Sequence, residues 1–114
     1  MSHPETITRL LACCDAARKN VSVFRELIWA LVFICDRHLP DKRTAPYFMS
    51  CLANNDAQTR ILGLWGLRNI GELTDEAIET LLADRSKRVR EEAAKCADWA
   101  GYERDFEWWT EEEL

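Results

Sequence analysis

Apolar and polar residues recur along the chain at helical spacing. Ile7, Leu10, Leu11 and Cys14 fall at i, i+3, i+4 and i+7, one face of an amphipathic helix. Ser2, followed by Glu5 three residues on, forms a capping box that places the start, with Pro4 tolerated in the first turn. Arg18 and Lys19 suit the negative end of that helix. The second helix is expected to begin at Asn20 or Ser22 and run to about His38, before Leu39–Pro40 stops it. Its apolar run, Leu27–Cys35, lacks a polar face, so the pattern predicts a helix covered on more than one side. The run is also far too short to span a membrane.

After the charged link Pro40–Arg43, Thr44 with Pro46 marks a third helix ending near Asn54. Asp56 caps a fourth, in which Ile61, Leu62, Leu64, Trp65, Leu67 and Ile70 leave little polar face. Gly63 and Gly66 each cost that helix about 1 kcal/mol of propensity relative to alanine, which close approach of a neighbouring helix would offset. Gly71 predicts a left-handed cap. Thr74 caps a fifth helix with Ala77, Ile78, Leu81 and Leu82 facing inward. Ser86 caps a sixth, where Val89, Ala93, Cys96, Ala97 and Ala100 form the inward stripe. No bounded stretch alternates at period two with β-type turns, so the expected class is all-α with six main helices.

The fourth and sixth helices belong to a repeat. Asn55–Gly71 is echoed thirty residues later by Arg85–Gly101, with Arg60 matching Arg90, Gly63 matching Ala93 and Gly71 matching Gly101. Upstream, Thr44 matches Thr74 and Leu52 matches Leu82. A period of this size predicts stacked helical hairpins, each too small to fold alone. With Asp84, Val89–Arg90, Ala93–Ala94, Ala97 and Gly101, the hairpins 44–71 and 74–101 resemble HEAT repeats. The short period is similar to that of the phycobilisome-lyase type of HEAT-like repeat. Residues 4–39 fit a third, degenerate hairpin, with Phe24–Arg25 at the position of Val89–Arg90. The resemblance implies one domain over residues 1–114, a short right-handed α-solenoid of antiparallel helix pairs of HEAT or armadillo type. It also implies a polar ladder between repeats, for which Asn54, Arg60, Asp84 and Arg90 are the matching residues. Such folds imply protein binding first, with nucleic-acid binding and bilin-lyase-like small-molecule activity as alternatives.

Composition narrows the chemistry. The chain has 114 residues, 47% hydrophobic and 31% charged, as in ordinary globular domains rather than disordered ones. Its N-terminus has no basic segment followed by an apolar run, so no secretory signal is expected. Five cysteines without framework spacing point to reduced thiols and a cytoplasmic setting. Cys14, Cys35, Cys51 and Cys96 fall at apolar helical positions and read as small hydrophobes. No C-x-x-C or H-E-x-x-H pattern suggests a metal, and no phosphate loop or nucleophile elbow suggests a cofactor or acyl transfer. A nucleophilic pairing of Cys13 or Cys14 with His38 has no sequence support beyond residue type. Asp75, Glu76 and Glu79 read as a solvated first-turn face. The basic cluster Arg85, Lys87, Arg88 and Arg90 shares its helix with Glu91 and Glu92, which disfavours nucleic acid.

The net charge of −5 sits in the last thirteen residues, with six acids against one base. There Trp99, Tyr102, Phe106 and Trp109 share a helical face, with Trp108 beside it and acids opposite. Residues 102–114 therefore read as an amphipathic end cap or, alternatively, as an aromatic anchor for a basic partner. The expected function is a non-catalytic protein-interaction module, an adaptor or an inhibitor or immunity-type protein that occludes a partner, with a basic surface on that partner as the expected contact. Candidate contact residues are Arg60, Arg68, Arg88 and Glu92 on the second helices of the hairpins, with Trp108 and Trp109 in the tail.

Overall fold

A computed structural model describes residues 3–35 and 41–98. All regular structure among these residues is helical: α1 His3–Ala16, α2 Val21–Ile34, a 3₁₀ turn Lys42–Thr44, α3 Ala45–Cys51, α4 Ala57–Asn69, α5 Asp75–Leu82 and α6 over residues 87–98. The chain divides into two compact units, Met1–Leu73 and Thr74–Leu114, and the boundary falls between the two repeated hairpins. The calls on Ser2, His38, Leu39–Pro40, Ala100, Gly101 and the tail 102–114 lie outside the described residues.

In the first unit, α1 contributes Ile7 and Cys14 to the core, and α2 contributes Phe24, Ile28, Leu31 and Val32. Phe48 and Cys51 come from α3, and Leu62 and Leu67 from α4. Asn20 starts α2 by accepting the Val23 N–H on its side-chain oxygen. That helix ends at Ile34, four residues earlier than expected, where Cys35 turns extended with ψ 122°. Arg18 and Lys19 lie beyond the last turn of α1, where Arg18 pairs with Asp15 at 3.3 Å. Thr44 stands at the start of α3 as expected, with Pro46 in the first turn, but its side chain makes no capping bond to that helix. Its hydroxyl donates back to the Asp41 carbonyl, and the Asp41 carboxylate accepts the Arg43 N–H to cap the 3₁₀ turn that leads into α3.

The glycine pair of α4 has the expected cause. A Cβ on Gly63 would sit 2.7 Å from both the Cys51 Cβ and the Phe48 carbonyl oxygen. One on Gly66 would sit 2.5 Å from the Phe48 ring. These contacts let α3 lie directly on the α4 backbone. Gly71, at φ +75°, closes α4 in a Schellman cap: Glu72 N–H donates to Leu67 O at 2.9 Å and Gly71 N–H to Arg68 O at 3.2 Å.

In the second unit, the Thr74 hydroxyl accepts the Ala77 N–H, and the Ser86 hydroxyl accepts the Val89 N–H. Ala77, Ile78, Leu81, Val89, Ala93 and Cys96 are buried, whereas Leu82, expected to face inward, is exposed. Ala97 is half-buried.

Each repeated hairpin contains the same joint. Asp56 N–H donates to Asn54 Oδ1 at 2.9 Å, and Ser86 N–H to Asp84 Oδ1 at 2.8 Å. An arginine six residues after the turn residue reaches back to its carbonyl, Arg60 to Asn54 O at 2.8 Å and Arg90 to Asp84 O at 2.7 Å. Sequence similarity between residues 54–60 and 84–90 is thus matched by two shared hydrogen bonds.

Candidate functional site: the groove between α2 and α4

The two helices lie side by side in the same sense, tied at three levels. At their N-terminal ends Arg25 reaches both carboxylate oxygens of Asp56 at 3.4 Å. Midway, the Trp29 and Trp65 rings meet with centroids 6.4 Å apart and planes inclined by 57°. Toward their C-terminal ends Asn69 Nδ2 donates to Val32 O at 3.2 Å. Asp56 also caps α4, accepting the Thr59 N–H at 3.0 Å and the Thr59 hydroxyl at 2.8 Å. Burial works to raise the Asp56 pKa, but the Thr59 bonds and the Arg25 cation outweigh it, and the carboxyl ends below its usual range.

At the helical spacing i, i+4, i+7 and i+11, Ser22, Glu26, Trp29 and Phe33 share one stripe of α2, and Gln58, Leu62, Trp65 and Asn69 one stripe of α4. Trp29 is 48% exposed and Phe33 81%. A pocket of about 230 Å³ opens between the helices, lined by Arg25, Glu26, Trp29, Gln58 and Leu62. α2 packs against both α1 and α4, as its apolar run requires, yet that run also leaves two large aromatics in water, an arrangement that marks contact surfaces when the residues cluster.

The residues expected to bind are placed unevenly. Arg68 and Arg88 are exposed, and Glu92 is half-buried, with Lys95 Nζ 3.2 Å from its carboxylate. Arg60, expected on an exposed surface, is only 4% exposed. Its guanidinium donates to the Asn54 and Asn55 carbonyls, and that backbone coordination explains its burial. The same bonds tie Arg60 to Asn54 and Arg90 to Asp84, each within its own hairpin. Trp108 and Trp109 lie outside the described residues.

The other candidate chemistry does not assemble at this groove. Cys14 and Cys51 are buried, and burial pushes their thiols up to about 11 and about 12. Cys13 is exposed, and His38 lies outside the described residues. Among the described residues no three of His, Cys, Asp and Glu gather as a metal set, and no helix is long and apolar enough to cross a membrane. In the basic cluster, Lys87 lies 3.9 Å from Glu91 and Arg90 is engaged with Asp84. No protein-family model, curated protein or solved structure matches the chain.

Sequence reasoning missed Trp29, Phe33 and Trp65 as site residues. The available signal was the stripe Ser22, Glu26, Trp29, Phe33, which carries polar residues at its start although the run that follows is apolar.

Proposed function

We propose that this chain is a non-catalytic protein-binding module of HEAT-like type, a short solenoid of helix pairs acting as an adaptor or as an inhibitor that occludes its partner. The observation that carries the reading is the exposed pair Trp29 and Phe33, with the half-buried Trp65 against Trp29, on two helices fixed by cross-ties. An apolar strip held on rigid elements costs little ordering entropy on binding, and tryptophan dominates such anchors. The repeated joints at 54–60 and 84–90 support the HEAT-like part of the proposal. The pocket, at about 230 Å³, is smaller than the usual small-molecule site, which favours a protein over a cofactor or chromophore.

Affinity capture with the wild-type chain and with Phe33→Ser tests this reading. Because Phe33 is exposed, its replacement is expected to leave the melting temperature unchanged while a stoichiometric protein partner is lost from the eluate. A partner retained equally by both chains, or none on either, would count against the groove.

A further inference from the structure

We propose that the pocket between α2 and α4 receives an arginine side chain of the partner protein, stacked on Trp29 and paired with Glu26; this rests on the groove being the docking face. The charges around the pocket decide the sign of its occupant. Arg25 and Glu26 are the charged residues of its lining. Arg25 is neutralised by Asp56, whose two carboxylate oxygens both lie 3.4 Å from Arg25 Nη1. Glu26 is exposed and has neither ion pair nor hydrogen bond among the described residues. The pocket therefore holds one uncompensated negative charge, and a cation complements it.

The remaining lining suits a guanidinium. Trp29 stands one turn after Glu26 on the same helix face, with about half of its surface open. An indole face attracts a cation, and arginine also stacks on it through its flat, weakly hydrated head. The open part of the Trp29 indole gives apolar surface for the methylene stem above a floor closed by the buried Leu62, and the Gln58 amide, without a partner among the described residues, supplies a carbonyl acceptor. A volume of about 230 Å³ fits one long side chain rather than a ligand of several rings. Phe33, farther along the seam, would meet an apolar residue of the same segment.

The test is selection of a random displayed peptide library on the full chain, followed by affinity measurement of enriched peptides with arginine or its neutral isostere citrulline. Enriched peptides are expected to carry an arginine beside an apolar residue. Citrulline should weaken them at least about tenfold, and Glu26→Gln should remove most of that difference. Glu26 is exposed, so its amide variant is expected to fold, and Trp29→Ala should abolish binding of the same peptides. Peptides that need Trp29 but tolerate citrulline or Glu26→Gln would overturn the arginine proposal and leave the docking face standing. Peptides indifferent to Trp29, or no enrichment, would overturn both.

Discussion

Asp56 joins two jobs in one carboxylate, capping α4 and receiving Arg25 from α2. Loss of an N-cap costs about 0.5–2 kcal/mol, and a partly exposed ion pair adds at most about 1 kcal/mol. Asp56→Ala is therefore expected to destabilise by about 1–2 kcal/mol in urea unfolding. Its pH dependence follows from the lowered folded-state pKa. The contribution is fully present above the unfolded carboxylate pKa and fades as pH falls through the lower folded value. Wild-type stability should thus drop across the acid range, and Asp56→Asn should flatten that limb. An acid limb equally steep in the variant would assign it to other groups. At the same scale, Arg60 shows what residue type conceals. A charge in a sequence predicts exposure, but the carbonyls left open by a tight turn draw this guanidinium inside.

Helix ends and crossings were the legible elements. Asp56, Thr74 and Ser86 cap where side-chain chemistry places them, and Gly71 takes the left-handed turn that alanine adopts only at a cost. Gly63 and Gly66 announced a close crossing because nothing else repays two glycines inside one helix. On propensity alone Gly66→Ala would gain about 1 kcal/mol. Against the Phe48 ring it meets a contact of 2.5 Å, and overpacking of a fixed core costs about 1–3 kcal/mol. The variant is expected to be net destabilised, with pairing to Phe48→Leu restoring part of the loss. A more stable Gly66→Ala would show that α3 yields easily. The exposed seam of α2 was legible only in outline, from Ser22 and Glu26, since Leu27–Cys35 itself has no polar residue to say which side stays wet. Thr44 and Pro46 do mark the start of α3, and only the fold reveals that Asp41 caps the 3₁₀ turn before it while the Thr44 hydroxyl bonds back to the Asp41 carbonyl.

At the scale of the molecule, the two units differ in what they bury and in charge. The first buries Phe24, Ile28, Leu31, Phe48, Leu62 and Leu67 among others, while the described part of the second relies on Ile78, Leu81 and Val89 with small residues. Larger apolar burial raises the free energy of local opening. Native-state hydrogen exchange is expected to be slowest in α2 and α4 and faster in α5 and α6, an order that equal protection throughout would refute. Residues 1–73 carry nine Lys and Arg against seven Asp and Glu, a net +2, and residues 74–114 carry six against thirteen, a net −7. All-helical architecture and the thirty-residue echo could be read from the sequence, whereas the groove was visible only once α2 packs beside α4. Because Arg60 and Arg90 satisfy carbonyls of their own turns, a hairpin carries its closure with it. A duplicate of a whole thirty-residue block would therefore bring a finished joint, with no compensating substitution needed inside the turn.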